Sequence, residues 1–131
     1  MSSEPLRAAD LRERIADPHR APACASCAGL ARAGWESIGS PVDATRLERL
    51  GTLRPVGDDE PTLQEHHPAG TRYWSVDAPI AVEFFPYNRC DVWQCAACGR
   101  PFLRYTEYGG YYQESRIRAL APELVSDAAP E

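Results

Sequence analysis

The sequence has no lysine. All 14 of its basic residues are arginine, set against 19 acidic ones for a net charge of −5. An acidic balance argues against a surface that tracks phosphates, because nucleic-acid binders carry a basic stripe. Arg100, Arg104, Arg116 and Arg118 leave room for a local basic patch only. Arginine suits planar and bidentate contacts better than lysine does, although an all-arginine set also follows from genome composition. No apolar run approaches the length of a membrane span, so no membrane partner is expected. Residues 1–7 lack the apolar segment of a secretory leader, which makes the cytoplasm the expected compartment. There is no Ser-His-Asp order, no phosphate loop, no His-Glu-x-x-His motif, no internal repeat and no low-complexity linker. These absences leave no catalytic motif to build on.

What is present fits one domain. A chain of 131 residues with 44% hydrophobic content is long enough and apolar enough to bury its own core. A single domain over residues 1–131 is expected, with 1–5 and 122–131 as frayed tails. Residues 6–16 space Leu6, Ala9, Leu11 and Ile15 near a helical period until Asp17-Pro18 stops them. Residues 22–36 open on Pro22 and are rich in alanine, which predicts a second helix. Ser40-Pro41-Val42-Asp43 has the form of a helix cap. It predicts a third helix over 41–50, with Ala44, Leu47 and Leu50 on one face and Gly51 as the stop.

Residues 55–70 are acidic and turn-rich and read as a long loop, which in a small domain usually serves a function. From Tyr73 the pattern changes to strands: 73–76, 81–85, 92–94, 101–108 and 111–118. Gly109-Gly110 between the last two is a hairpin signal. The three tryptophans, Trp35, Trp74 and Trp93, are assigned to the core. The expected fold is therefore α+β, with N-terminal helices packed on a small antiparallel sheet that carries the hairpin.

The five cysteines supply the most specific signal. Thiols stay reduced in the cytoplasm, so paired cysteines point to metal or redox chemistry rather than to disulfides. Cys24/Cys27 and Cys95/Cys98 are both Cys-x-x-Cys pairs, each of which can bend two sulfurs onto one ion. Two pairs complete a tetrahedral zinc shell, and four thiolates leave no open position for water. The ion so held is structural. The chain between the pairs is long, but each doubling of a loop costs only about 0.6 kcal/mol. Structural zinc contributes about 10–16 kcal/mol of apparent binding. A redox pair would instead need a thioredoxin-like βαβ unit, for which there is no pattern. Gly99, directly after Cys98, lets the second turn tighten and lets backbone amides face the thiolates.

Cys95, Cys98, Gly99 and the hairpin that follows resemble the zinc knuckle of zinc-ribbon and treble-clef domains, over roughly residues 90–118. Treble clefs take their other two ligands from a helix start, where Cys24 and Cys27 are expected, although here that helix precedes the knuckle. The chain is also similar to small uncharacterised bacterial proteins with such a knuckle. That likeness implies no activity.

Three features remain open. Cys90 is a packed side chain, an alternative ligand or a reactive thiol beside Arg89. Glu65, His66 and His67 are a solvated loop, or the acid, base or second metal site of an enzyme that would also use Cys90. Adjacent histidines on an extended chain point to opposite sides, so only one of them readily faces a given site. The hairpin residues Arg104, Tyr105, Tyr108, Tyr111, Tyr112 and Arg116 are either a binding surface, since tyrosine and arginine anchor interfaces, or cross-strand pairs that stabilise the sheet. The leading expectation is a module with one structural zinc on Cys24, Cys27, Cys95 and Cys98 that engages a protein partner or a small ligand. The alternatives are an enzyme using Glu65, His66 or Cys90 in a pocket and a nucleic-acid-binding zinc ribbon.

Overall fold

Three consecutive antiparallel strands form the centre of the fold: β4 (Asp91–Cys95), β5 (Pro101–Tyr108) and β6 (Gln113–Ala119). Val92, Trp93, Phe102, Tyr105 and Ile117 in these runs favour a pleated, half-buried surface. The computed structural model describes residues 6–11, 34–38, 47–55, 62–97, 99–108 and 113–128. Two more strands join from earlier in the chain. β1 (Glu36–Ile38) pairs with β6 and β2 (Leu47–Thr52) pairs with β4, giving an antiparallel sheet in the order β1-β6-β5-β4-β2. A separate parallel pair joins β3 (Ile80–Ala81) to β7 (Val125–Ser126). The strand expected over 101–108 is present, and its pairing of Tyr108 with Gln113 makes the hairpin. The Gly109-Gly110 turn lies outside the described residues.

The expected α+β fold is corrected. Among the described residues the structure is mainly β, and its one α-helix is a single turn, α1 (Ala8–Asp10), which is not a helical layer on the sheet. The expected helix over 41–50 fails where it can be seen, because Leu47–Thr52 is strand β2. Leu47 and Leu50, spaced three apart, suggested one helical face. Instead Leu47 is buried opposite Cys95, while Leu50 falls at a register shift between Arg49 and Gly51 and is 39% exposed. Pairing along β4 outweighs the weak local preference. The expected helix over 22–36 ends in strand, since Glu36 opens β1. Its residues 22–33 lie outside the described residues, as do 12–16 of the first helix. Strands expected over 73–76 and 81–85 are turns, apart from Ala81.

The sheet buries side chains on both faces. On one face Leu103, Tyr105 and Val92 join Trp35, Leu53, Ile80, Val82, Tyr87, Cys90, Leu120 and Val125 in the main core. The long segment 62–90 covers this face, ending in a 3-10 turn over Tyr87–Arg89. Cross-strand register places Leu47, Cys95, Trp93, Phe102 and Ile117 on the opposite face, where all but Trp93 are buried. Val125–Ser126, in the stretch expected to fray, is held by its pairing with β3. The N-terminal turn is tied to β2, with the Leu6 N–H donating to the Thr52 carbonyl at 2.7 Å. A Cβ on Gly51 would stand 2.8 Å from Leu6 Cδ1, so a side chain there would push the end of Leu6 aside. Among the described residues no helix is long and apolar enough to cross a membrane.

Candidate functional site

The turn between β4 and β5 is built by three features. The Cys95 N–H donates to the Arg100 carbonyl at 2.9 Å, and the Gly99 N–H donates back to the Cys95 carbonyl at 2.7 Å. Gly99 has φ +79°, the left-handed region in which a side chain is strained. Cys95, 1% exposed, ends β4 opposite Leu47, on the sheet face away from the main core. Cys24, Cys27 and Cys98 lie outside the described residues. Among the described residues no group of three or more His, Cys, Asp or Glu side chains is disposed to hold a metal ion.

Cys90 is packed. It is 0% exposed, and its thiol donates to the Pro86 carbonyl at 3.3 Å. Burial pushes that thiol well above its ordinary range; the neighbouring Asp91 charge adds to the rise and the Arg118 charge opposes it. Such a group is a poor nucleophile, because the thiolate is the reactive form.

The hairpin residues singled out in the sequence divide between the two faces. Arg104 lies over the Trp93 ring, 5.3 Å from its centroid, on the opposite face. Tyr105 and Arg116 are cross-strand partners on the core face. Tyr105 is buried and meets Trp35 edge-on at 5.1 Å. Its hydroxyl hydrogen-bonds to that of Tyr73, and Arg116 Nη1 donates to the Tyr73 hydroxyl at 3.1 Å and to that of Tyr105 at 3.5 Å. Glu114 accepts from the Arg116 Nε and Nη2 at 3.2 and 3.0 Å. Burial raises the Tyr73 phenol to about 12, although the hydrogen bonds from Tyr105 and Arg116 pull it back down. The side chain of Tyr108, and all of Tyr111 and Tyr112, lie outside the described residues.

Two residues not singled out for a site complete this cluster. Arg116 sits 5.0 Å from the Trp74 ring and 5.5 Å from that of Tyr73, within cation–π range of both. Trp74, assigned to the core, is instead 54% exposed, and Val76 beside it is exposed too. Trp93 is half-buried, and only Trp35 takes the core position expected of all three. In the sequence the Tyr73-Trp74 doublet reads as the start of a strand, whereas both residues lie in a turn. Arg118, two residues after Arg116 on the same face, is fully buried. The four arginines of the expected basic patch therefore do not share one surface.

In the long loop, His66 stacks on Phe84 with ring centroids 4.7 Å apart. His67 points elsewhere, to Glu65 and Thr71. The sequence-based grouping of Glu65, His66 and Cys90 into one pocket is not what these contacts form. No family model, curated protein or solved structure matches this chain.

Proposed function

We propose that this chain is a zinc-stabilised interaction module, with one structural ion held by the thiolates of Cys24, Cys27, Cys95 and Cys98. The observation that carries the reading is the turn after Cys95. Two antiparallel strands reverse through Cys95-Ala96-Ala97-Cys98-Gly99, with Gly99 left-handed and bonded back to the Cys95 carbonyl. A tight turn after Cys95 suits a zinc knuckle, in which two cysteines separated by two residues face one ion. The burial of Cys95 opposite Leu47 suits a thiolate held by a metal in an apolar setting. Four sulfur ligands would make the ion a staple between the early and late halves of the chain, with no position left for a reacting water.

The contact surface in this reading is the edge around Arg116, where Trp74 and Val76 are open to a protein partner or a small ligand. Tryptophan and arginine are the side chains on which interfaces most often anchor. The cytoplasm fits the reading, because reduced thiols are available there for metal.

Elemental mass spectrometry on untagged protein tests the site. One zinc per chain is expected in the wild type, with loss in a Cys24→Ser/Cys27→Ser double variant and in Cys95→Ser. Metal-free wild type in which every thiol but that of Cys90 titrates as accessible would refute the site and favour redox chemistry.

A further inference from the structure

His67 is held at both ring nitrogens. Its Nε2 lies 2.8 Å from Glu65 Oε1 and its Nδ1 lies 2.7 Å from Thr71 Oγ1. A carboxylate only accepts, so Nε2 donates. The other nitrogen of a neutral imidazole must then accept the Thr71 hydroxyl proton. A hydroxyl bonded to an imidazole that a carboxylate orients is the arrangement of an activated nucleophile.

The local backbone creates this contact. The Gly70 N–H donates to the His67 carbonyl at 3.0 Å, closing a turn that returns Thr71 to the histidine. Gly70 adopts φ +81°, and nothing lies within 4 Å of where its Cβ would stand. The space beside Gly70 is therefore open. His66, stacked on Phe84, anchors the loop beneath, and the Phe85 N–H fixes it again at the Gln64 carbonyl, 2.8 Å away. The His67 side chain is 22% exposed, sheltered yet reachable.

We propose that Glu65, His67 and Thr71 form a nucleophilic relay that accepts an acyl group from a small activated ester. Thr71 Oγ1 attacks the acyl carbon and the bond from that carbon to the leaving oxygen breaks. The hydroxyl proton passes to His67 Nδ1 and then to the departing alcohol. Water, deprotonated by the same nitrogen, attacks the Thr71 ester, releasing the acid and restoring the hydroxyl. The relay uses neither Cys90 nor His66 and is independent of the zinc reading.

p-Nitrophenyl acetate is a suitable probe, applied to the full chain as purified. Release of p-nitrophenolate is followed over time, and the acetylated residue is located by tandem mass spectrometry. The expected result is a burst with acetyl on Thr71. Thr71→Ala should abolish the burst and Thr71→Ser should keep it. His67→Gln should slow acylation about 100-fold or more, and Glu65→Gln should slow it less. Circular dichroism establishes that each variant is folded. If His67→Gln is not, the Thr71 pair still decides the matter. Acetyl found on His67 itself, or an unchanged rate in folded Thr71→Ala, overturns the proposal.

Discussion

Arg118 donates a hydrogen bond from Nη1 to the Tyr87 hydroxyl at a position with 0% exposure. Its other terminal nitrogen donates to the Val76 and Ala78 carbonyls at 3.1 and 2.9 Å. One strand side chain thus holds the covering segment at three points, and Tyr87 in turn accepts from Trp35 Nε1 at 3.3 Å. The indole and the guanidinium meet at one phenol, which ties β1, β6 and the 3-10 turn together. Removing the guanidinium leaves a hydroxyl and two carbonyls to find new partners inside the protein. Arg118→Leu should cost about 2–5 kcal/mol by urea denaturation. Arg118→Lys, which keeps the charge but loses the planar fork, should fall between the two. A loss below about 1 kcal/mol in the leucine variant would show that the segment is held by apolar packing alone.

Stability should fall at high pH through the buried phenols. The Tyr73 phenol titrates near 10 when unfolded and at about 12 when folded. Between those values the folded chain holds more protons than the unfolded one, so unfolding becomes easier as pH rises. The contribution is fully present below pH 10 and is lost by about pH 12. Burial moves Tyr87 and Cys90 the same way, adding to the slope. Urea melts across this range should show the decline, and Tyr73→Phe should flatten it. An equal slope in that variant would remove Tyr73 from the account.

Gly99 should resist substitution more than its partly exposed setting suggests. Its φ of +79° is costly for any residue with a Cβ. Gly99→Ala should therefore destabilise by about 1–2 kcal/mol, with Gly99→Asn milder. In the zinc reading both variants also lose metal to a competing chelator faster than wild type. Wild-type release rates in Gly99→Ala would separate the turn from the metal.

Cys90 should be chemically silent in the native protein. Its buried thiol, pushed up and bonded to the Pro86 carbonyl, presents little thiolate. Wild type and Cys90→Ala should expose equal numbers of fast-reacting thiols to a disulfide reagent, and should differ by one only after unfolding. A fast thiol that disappears in Cys90→Ala would contradict the packed state.

The central hairpin was legible in the sequence because its signals are local. Aromatic and branched runs are bounded on one side by the Cys95–Gly99 turn and on the other by two glycines. The outer strands were not. Ser40-Pro41 and the Leu47/Leu50 spacing have helical form. What makes Leu47–Thr52 a strand is its pairing with Asp91–Cys95, a partner that local pattern does not name. The same holds for the site. Strand alternation separates Tyr105 from Arg104, but which face is covered depends on the core packed above it. Glu65 and the two histidines drew attention as a group, and the prediction that the histidines diverge was sound. Thr71 carried no signal, because the turn at Gly70 is what brings it back to His67. Nor did Arg118, whose burial depends on a segment some distance earlier in the chain.

The strand order β1-β6-β5-β4-β2 also governs how the chain assembles. β4, β5 and β6 can zip together as neighbours, but the two edge strands are made well before their partners. During synthesis Glu36–Ile38 must wait for Ser115–Ile117 to emerge, and Trp35 beside it waits for Tyr105. Sheet closure over such separations is slow. The nascent chain therefore carries an unpaired strand and an uncovered tryptophan for most of its passage from the ribosome.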